Sequence, residues 1–345
     1  ELTPPTVTWL TYPAVGTDRH YALVAEGQRS MAEIRLPIVL QNPKILRYLF
    51  EGRRTIADTP GAGYNTHIYS PVGEESTKGD LSTSLATQVQ PLLSFTTEVS
   101  YEDPTSGGTN HFVRYYTGCK VNSIELSMDS AGELVATTNI TAAGQYVNST
   151  RTTSTLASFA FGNTRPYFFY DALVRLFGSS ATQAGTGIMT MANTTTYERI
   201  TNFSISIENN LTQRYYLTAE TGTSTGPTGG KYAYDLVPGL REITGTFGLI
   251  LDTEDSLTVS GDAAGANTVW GRLLSIGTTP FDMEIALTRT ANQDLIRLQM
   301  FDCWITSAPH TIPEEKADIP LEFEFGARKM RVEVVNNQTD AQMAF

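Results

Sequence analysis

Four histidines, two cysteines and one dense acidic triplet are the groups in this chain whose types and spacing invite a chemical reading. A zinc hydrolase holds its metal on histidines at HxxxH or HxH spacing, whereas His20, His67, His111 and His310 stand far apart, and no Gly-x-Ser-x-Gly elbow accompanies them. Each reads as an isolated surface or loop residue. Asp252, Glu254 and Asp255 form the acidic triplet; a calcium loop needs a fuller Asp-x-Asp-x-Asp-Gly pattern with a late Glu, so this one reads as a solvated turn after a strand. The stretch TGTSTGPTGGKYAYD resembles a phosphate-binding loop only in its glycines. Thr225 stands six residues before Lys231 where a Gly is required, and Tyr232 replaces the magnesium-binding Ser or Thr. Paired carboxylates for glycoside hydrolysis are set by spatial separation, which sequence spacing leaves open. This low density of catalytic groups points to a structural protein with no cofactor or metal rather than an enzyme. Cys119 and Cys303 each lie inside an apolar run, the setting of small buried hydrophobes.

The overall balance narrows the partners. The chain has 345 residues, 36 acidic against 24 basic, for a formal net charge of -12. Tight duplex binding works through Lys and Arg that displace phosphate counterions, and no basic run is present to do so. Nucleic acid that meets this protein should therefore be repelled; the acidity reads equally as a solubility device. No apolar run approaches the ~18–20 residues of a helical membrane span, and the start of the sequence has no basic-then-apolar leader pattern.

The elements that must position any site are strands. Ile124, Leu126 and Met128 alternate with Glu125, Ser127 and Asp129, the period of a half-buried antiparallel strand. Asp129-Ser130-Ala131-Gly132 then turns the chain into a Val- and Thr-rich return strand over 134–140. Residues 31–40 form a strand whose Pro37 marks an edge or a bulge. Asn42 is placed to cap a short amphipathic helix beginning at Pro43 and ending before Gly52. Residues 53–90 read as a projecting loop. Tyr167–Phe177 fits either a helix or a strand. Ile200–Glu208 alternates again, and Asn209-Asn210 turns.

A second copy of one plan follows. Residues 240–251 stand where 31–40 stood, 267–277 match the capped helix, 281–287 match 92–99, LIRLQMFDCWI matches FVRYYTGCKV, and IPLEFEFG matches LVATTNIT. One order shared by five elements predicts an internal duplication. The expected fold is all-β with minor helix: two tandem β-sandwich domains at 1–145 and 197–334, a connector at 146–196, and a flexible tail at 335–345.

Two stretches carry a family resemblance. YTGCKVNSIELSMDSAGELVATTNITAAGQ is similar to the Gly-Cys-x-Val-x-Ser strand pair of tail tube proteins of long-tailed bacteriophages and archaeal viruses. ITNFSISIENNLTQRYY with PGLREITGTFGLIL resembles the second-half signature of that family. In outline the likeness covers residues 31–326. It implies β-sandwich domains with a short flanking helix joined into β-lined rings, normally of six equivalent domains, that stack into a tube conducting DNA from capsid to host. Two copies per chain imply a trimer with pseudo-sixfold geometry, a hexamer being the alternative. It also implies a place in the virion tail after synthesis in the host cytoplasm, with tape measure and tail terminator or distal tail proteins as partners, and DNA passing without specific binding. Four strands per domain, spaced ~4.8 Å and tilted ~40°, close at roughly 150 Å of circumference and about 48 Å of diameter, wide enough for a duplex.

On that reading the lumen-facing candidates are Glu125, Ser127, Ser204, Ser206 and Glu208, an outer solvated face being their other placement. Ring-stacking contacts fall to the loop bounded by Arg53 and Gln90 and to the tail from Val335 to Phe345. A distal tail or host-recognition protein that binds carbohydrate is the competing reading, with Tyr167–Tyr170 as its aromatic patch.

Overall fold

A computed structural model describes residues 1–4, 6–13, 21–59, 61, 63–73, 80–81, 88–89, 92–102, 111–148, 165–178, 180–183, 187–192, 195–197, 200–215, 233–251, 280–290, 294–308 and 319–344. In chain order its strands begin with β1 (Leu2–Thr3), β2 (Val7–Pro13), β3 (Tyr21–Arg29) and β4 (Ala32–Val39), then β5 (Gly52–Ile56), β6 (Asn65–Ser70), β7 (Gln88–Val89) and β8 (Phe95–Glu102). Next come β9 (His111–Asp129), β10 (Val135–Ala142), β11 (Gly144–Asn148), β12 (Ala172–Gly178), β13 (Ser180–Gln183), β14 (Met189–Ala192) and β15 (Thr195–Tyr197). The last are β16 (Ile200–Glu208), β17 (Thr212–Arg214), β18 (Asp235–Val237), β19 (Glu242–Leu251), β20 (Phe281–Thr290), β21 (Asp294–Ser307) and β22 (Ile319–Asn336). Among the described residues helix is almost absent. The capped segment forms a 3-10 helix, Pro43–Tyr48, and the Asn42 side chain accepts a bond from the Lys44 N–H as the cap motif requires.

Sixteen strands join in one sheet, whose main path runs β1-β4-β10-β9-β16-β19-β22-β21-β20-β12-β15. Period-two alternation divides its sides. On one, Ile38, Ala136, Leu126, Ile205, Gly245, Phe325 and Ile305 lie opposite one another in a single row across seven strands. The neighbouring row is Met128, Phe203, Phe247 and Phe323. Phe247 stacks at 5.5 Å on Phe323 and 5.4 Å on Phe325, and meets Phe203 at 6.2 Å. Gly245 is required beneath this cluster, because a β-carbon there would come within 2.5 Å of the Phe325 ring. Such aromatic pairs add about 0.5–1.5 kcal/mol each beyond their burial.

The strand pairings of the first and second halves repeat. Phe95 of β8 lies opposite Cys119 of β9, and Phe281 of β20 lies opposite Cys303 of β21, each followed by the same slip in register. Two residues beyond each cysteine, Val121 pairs with Ile140, Ile140 with Ile34 and Ile34 with Leu2, while Ile305 pairs with Phe325, Phe325 with Gly245 and Gly245 with Ile205. The residue before each cysteine has positive φ, +61° at Gly118 and +50° at Asp302. There each long strand bends from one set of neighbours to another. Between β9 and β16 the two quartets, β1-β4-β10-β9 and β16-β19-β22-β21, are hydrogen-bonded into one surface.

Several expectations need correction. The described part of 53–90 is not a projecting loop: β5 and β6 form a hairpin, and β6 pairs with β22 of the other half. Ile68 and Tyr69 are buried there, which free loop residues would not be. The tail is not free either. Val335 lies inside β22 opposite Leu295, and Met343 is fully buried in the main core. Tyr167–Phe177 is resolved as a 3-10 turn, Phe169–Asp171, leading into β12, which pairs with β20. The expected helix at 267–277 and the acidic triplet at 252–255 lie outside the described residues, as do Gln90, Phe345 and most of the Gly-rich loop.

Candidate functional site

Opposite the apolar side, the same seven strands present a polar one. One row reads Pro37, Thr137, Glu125, Ser206, Thr244, Gly326 and Trp304. Beside it run Val135, Ser127, Ser204, Thr246 and Glu324, and beyond that Asp129, Asn202, Gly248 and Glu322. On the other flank stand Arg35, Asn139, Ser123, Glu208 and Glu242. The five residues selected from sequence thus meet on two adjacent strands, although β9 and β16 are about 80 residues apart in the chain. Glu125 and Glu208 are exposed and the three serines half-buried. Ser204 Oγ donates to Glu125 Oε1 at 3.0 Å, and Asn139 Nδ2 donates to Ser123 Oγ at 2.8 Å.

Sequence reading missed the larger part of this surface. Asp129, Glu242, Glu322 and Glu324 belong to it, and their signal was present in the alternation of LREITG and PLEFEF. With Glu33 on β4, the described residues of this surface carry seven carboxylates, with Arg35 among them and Lys120 in the row of Glu33 and Thr141. Glu208 and Glu242 lie directly opposite, a like-charge pairing that destabilises a sheet by a few tenths to about 1 kcal/mol.

The other candidates have internal partners. Arg53 lies 3.4 Å from Asp340, which also receives Arg47 Nη1 at 3.2 Å and Thr55 Oγ1 at 3.2 Å. Those contacts dock the C-terminal segment. His67 is buried beneath it, with Nδ1 3.0 Å from Thr55 Oγ1 and Nε2 3.0 Å from the Gln338 carbonyl, and burial pulls its pKa below the ordinary 6.5. Both cysteines are fully buried, and loss of solvation pushes both thiols up, away from the reactive thiolate. In the aromatic patch Tyr167 is buried under Arg289, whereas Tyr170 is exposed and stacks on Phe168 at 5.4 Å. Among the described residues no group of three or more His, Cys, Asp or Glu side chains is placed to hold a metal.

A broad antiparallel sheet, apolar on one side and lined by hydroxyls and carboxylates on the other, defines an all-β protein. The family model described as phage tail tube protein matches residues 7–327. The chain belongs to that family and is a structural protein of the phage virion, located in the tail. No curated protein matches it. Among solved structures, an auxiliary nutrient binding protein from Bacteroides thetaiotaomicron aligns at 11% identity over 93% of this chain and 89% of that one, with a TM-score of 0.14, too low to argue from.

Proposed function

We propose that the chain forms a trimeric ring of six tandem β-sandwich repeats, stacked into a tube whose acidic polar wall lets DNA pass without holding it. The observation that carries this reading is the side-by-side union of two equivalent four-stranded quartets with their polar rows continuous across the β9–β16 join. Three chains then supply 24 wall strands, which at ~4.8 Å spacing and ~40° tilt enclose about 48 Å before side chains. The repeats correspond to residues 1–145 and 197–334.

Function is passive and non-enzymatic. Glu125, Asp129, Glu208, Glu242, Glu322 and Glu324 face the lumen and repel phosphate, while Ser127, Ser204 and Ser206 keep the wall wetted without offering a cation. The opposed pair Glu208 and Glu242, unfavourable for the isolated sheet, is accounted for by this role. Sheet closure meanwhile removes exposed edges that would recruit strands at random. Tape measure, terminator and distal tail proteins are the partners at the ends of such a tube.

The test is to replace Glu125, Glu208 and Glu242 by Lys. Tubes are expected to assemble as before, to retain short duplex DNA in sedimentation at low salt, and to release it as salt rises. Ejection of DNA by virions carrying the variant is expected to slow. Unchanged DNA retention and ejection would place these residues on the outside of the tube. A carbohydrate-recognition role would rest on the exposed Tyr170 and Phe168 pair, and glycan binding by the ring-free chain would favour it.

A further inference from the structure

A second charged surface lies on the outward side of β20, β21 and β22, with the main core between it and the polar rows. On their inward side these strands present Met283, Ile285, Leu298, Met300, Met330 and Val332, all in that core. On the outward side Glu284, Gln299 and Arg331 stand in register across the three strands, and Arg297 and Glu333 stand beside them. Glu284, Gln299, Arg331 and Glu333 are as buried as the apolar set, none exposed by more than 3%. Replacing buried ion pairs by well-packed apolar residues is often neutral or stabilising, so burial by itself does not favour this choice.

What covers these groups is a short strap. Among the described residues β13 and β14 pair only with each other, and a two-stranded hairpin by itself is marginally stable in water. Met189 and Met191 pack on Phe301, and three contacts from the charged face grip the backbone of the strap. Glu333 Oε1 accepts the Met189 N–H at 3.0 Å, Gln299 Nε2 donates to the Met189 carbonyl at 3.3 Å, and Arg331 Nη2 donates to the Gly187 carbonyl. Glu333 also pairs with Arg331 at 2.9 Å, and Glu284 with Arg175 at 2.6 Å. The strap does not complete the face. Arg331 Nε, Arg331 Nη1 and Gln299 Oε1 have no partner although both side chains are wholly buried, and polar atoms left so in a folded protein require an explanation.

We infer that the outward face of β20, β21 and β22 is a binding site for an extended acidic peptide, and that the β13–β14 strap occupies it as an internal substitute. Bonds to N–H and C=O groups accept an extended segment of any sequence, while a carboxylate on that segment meets the Arg331 donors that the strap leaves open. Displacing the strap uncovers charged groups that water solvates, so the exchange costs less than uncovering an apolar face. The site is separate from the polar wall and does not depend on the tube reading.

The test uses the full chain and two acetylated, amidated peptides: Gly-Ile-Met-Thr-Met-Ala, the sequence of residues 187–192, and the same peptide with one Glu added at its start. In calorimetry the Glu peptide is expected to bind saturably and at least tenfold more tightly than the other, and its binding should speed amide exchange at residues 189–191 while β21 stays protected. Arg331→Gln should abolish the preference for the Glu peptide. Met191→Ser, which loosens the strap without touching the charged face, should tighten binding of that peptide several-fold, and it keeps the test decisive if Arg331→Gln does not fold. No saturable binding to either the wild-type chain or Met191→Ser, equal affinity for the two peptides, or a preference that Arg331→Gln leaves unchanged would each overturn the site.

Discussion

The two halves solve the same folding problem with different residues. In the first, the closing strand is broken into β10 and β11, and the bend in β9 is made by Gly118, whose added β-carbon would sit 3.1 Å from Ala143 Cβ. In the second, β22 runs unbroken, and the bend in β21 is made by Asp302. That residue is anchored by its N–H to Asp282 Oδ1 at 3.0 Å and by its carboxylate to Arg328 at 3.2 Å. Aspartate tolerates left-handed backbone better than most L-residues, and here two partners hold it there. The comparison teaches that register, not residue identity, is what the two quartets share. Their edges differ for a second reason: β16 finds its partner within the chain and pairs along nearly all its length, whereas β1 pairs over two residues.

The largest expected effect comes from the aromatic centre of the second half. Phe247→Ala should cost about 3–5 kcal/mol, because the ring touches three others and the cavity cannot close. Denaturant unfolding measures it, and a loss below 1 kcal/mol would mean that the centre is loosely packed. Next, Gly118→Ala should cost about 1–2 kcal/mol from backbone strain alone, while Asp302→Gly should stay within about 1 kcal/mol, relief of strain offsetting the lost contacts. Equal effects at both sites would break the proposed equivalence of the bends. Asn42→Ala should remove about 1 kcal/mol through loss of the cap on the 3-10 helix, seen as a small drop in melting temperature.

The smallest effect concerns the clasp of the C-terminal segment. His67 has its folded pKa lowered by burial, so the unfolded chain binds the proton more readily. Its favourable contribution is complete above about pH 6.5 and is lost as pH falls through the depressed folded value. His67→Gln should flatten stability between pH 7 and 5 relative to wild type. An unchanged slope would assign acid sensitivity to other groups.

Alternation of side chains made much of this legible beforehand. Ile124–Asp129, Ile200–Glu208 and IPLEFEFG each declare a strand with one polar face, and Asn42-Pro43 declares a capped turn. The β5–β6 hairpin was not legible. NTHIYS is buried along almost its whole length, so it shows no alternation, and the strand that covers it lies more than 260 residues away. The docked tail was hidden for a similar reason: polar residues 336–342 read as solvated until Arg47, Arg53 and His67 are brought beneath them.

By itself, then, the sequence determined the alternating strands and which side of each is polar, since these depend on period-two spacing and residue type alone. Tertiary structure decided which strands are neighbours. It set Ser206 opposite Glu125 and Glu242 opposite Glu208, and so brought scattered carboxylates onto one polar face. The physical reason is that ladder hydrogen bonds join any two extended backbones, so the choice of partner rests on packing between side chains remote in the chain.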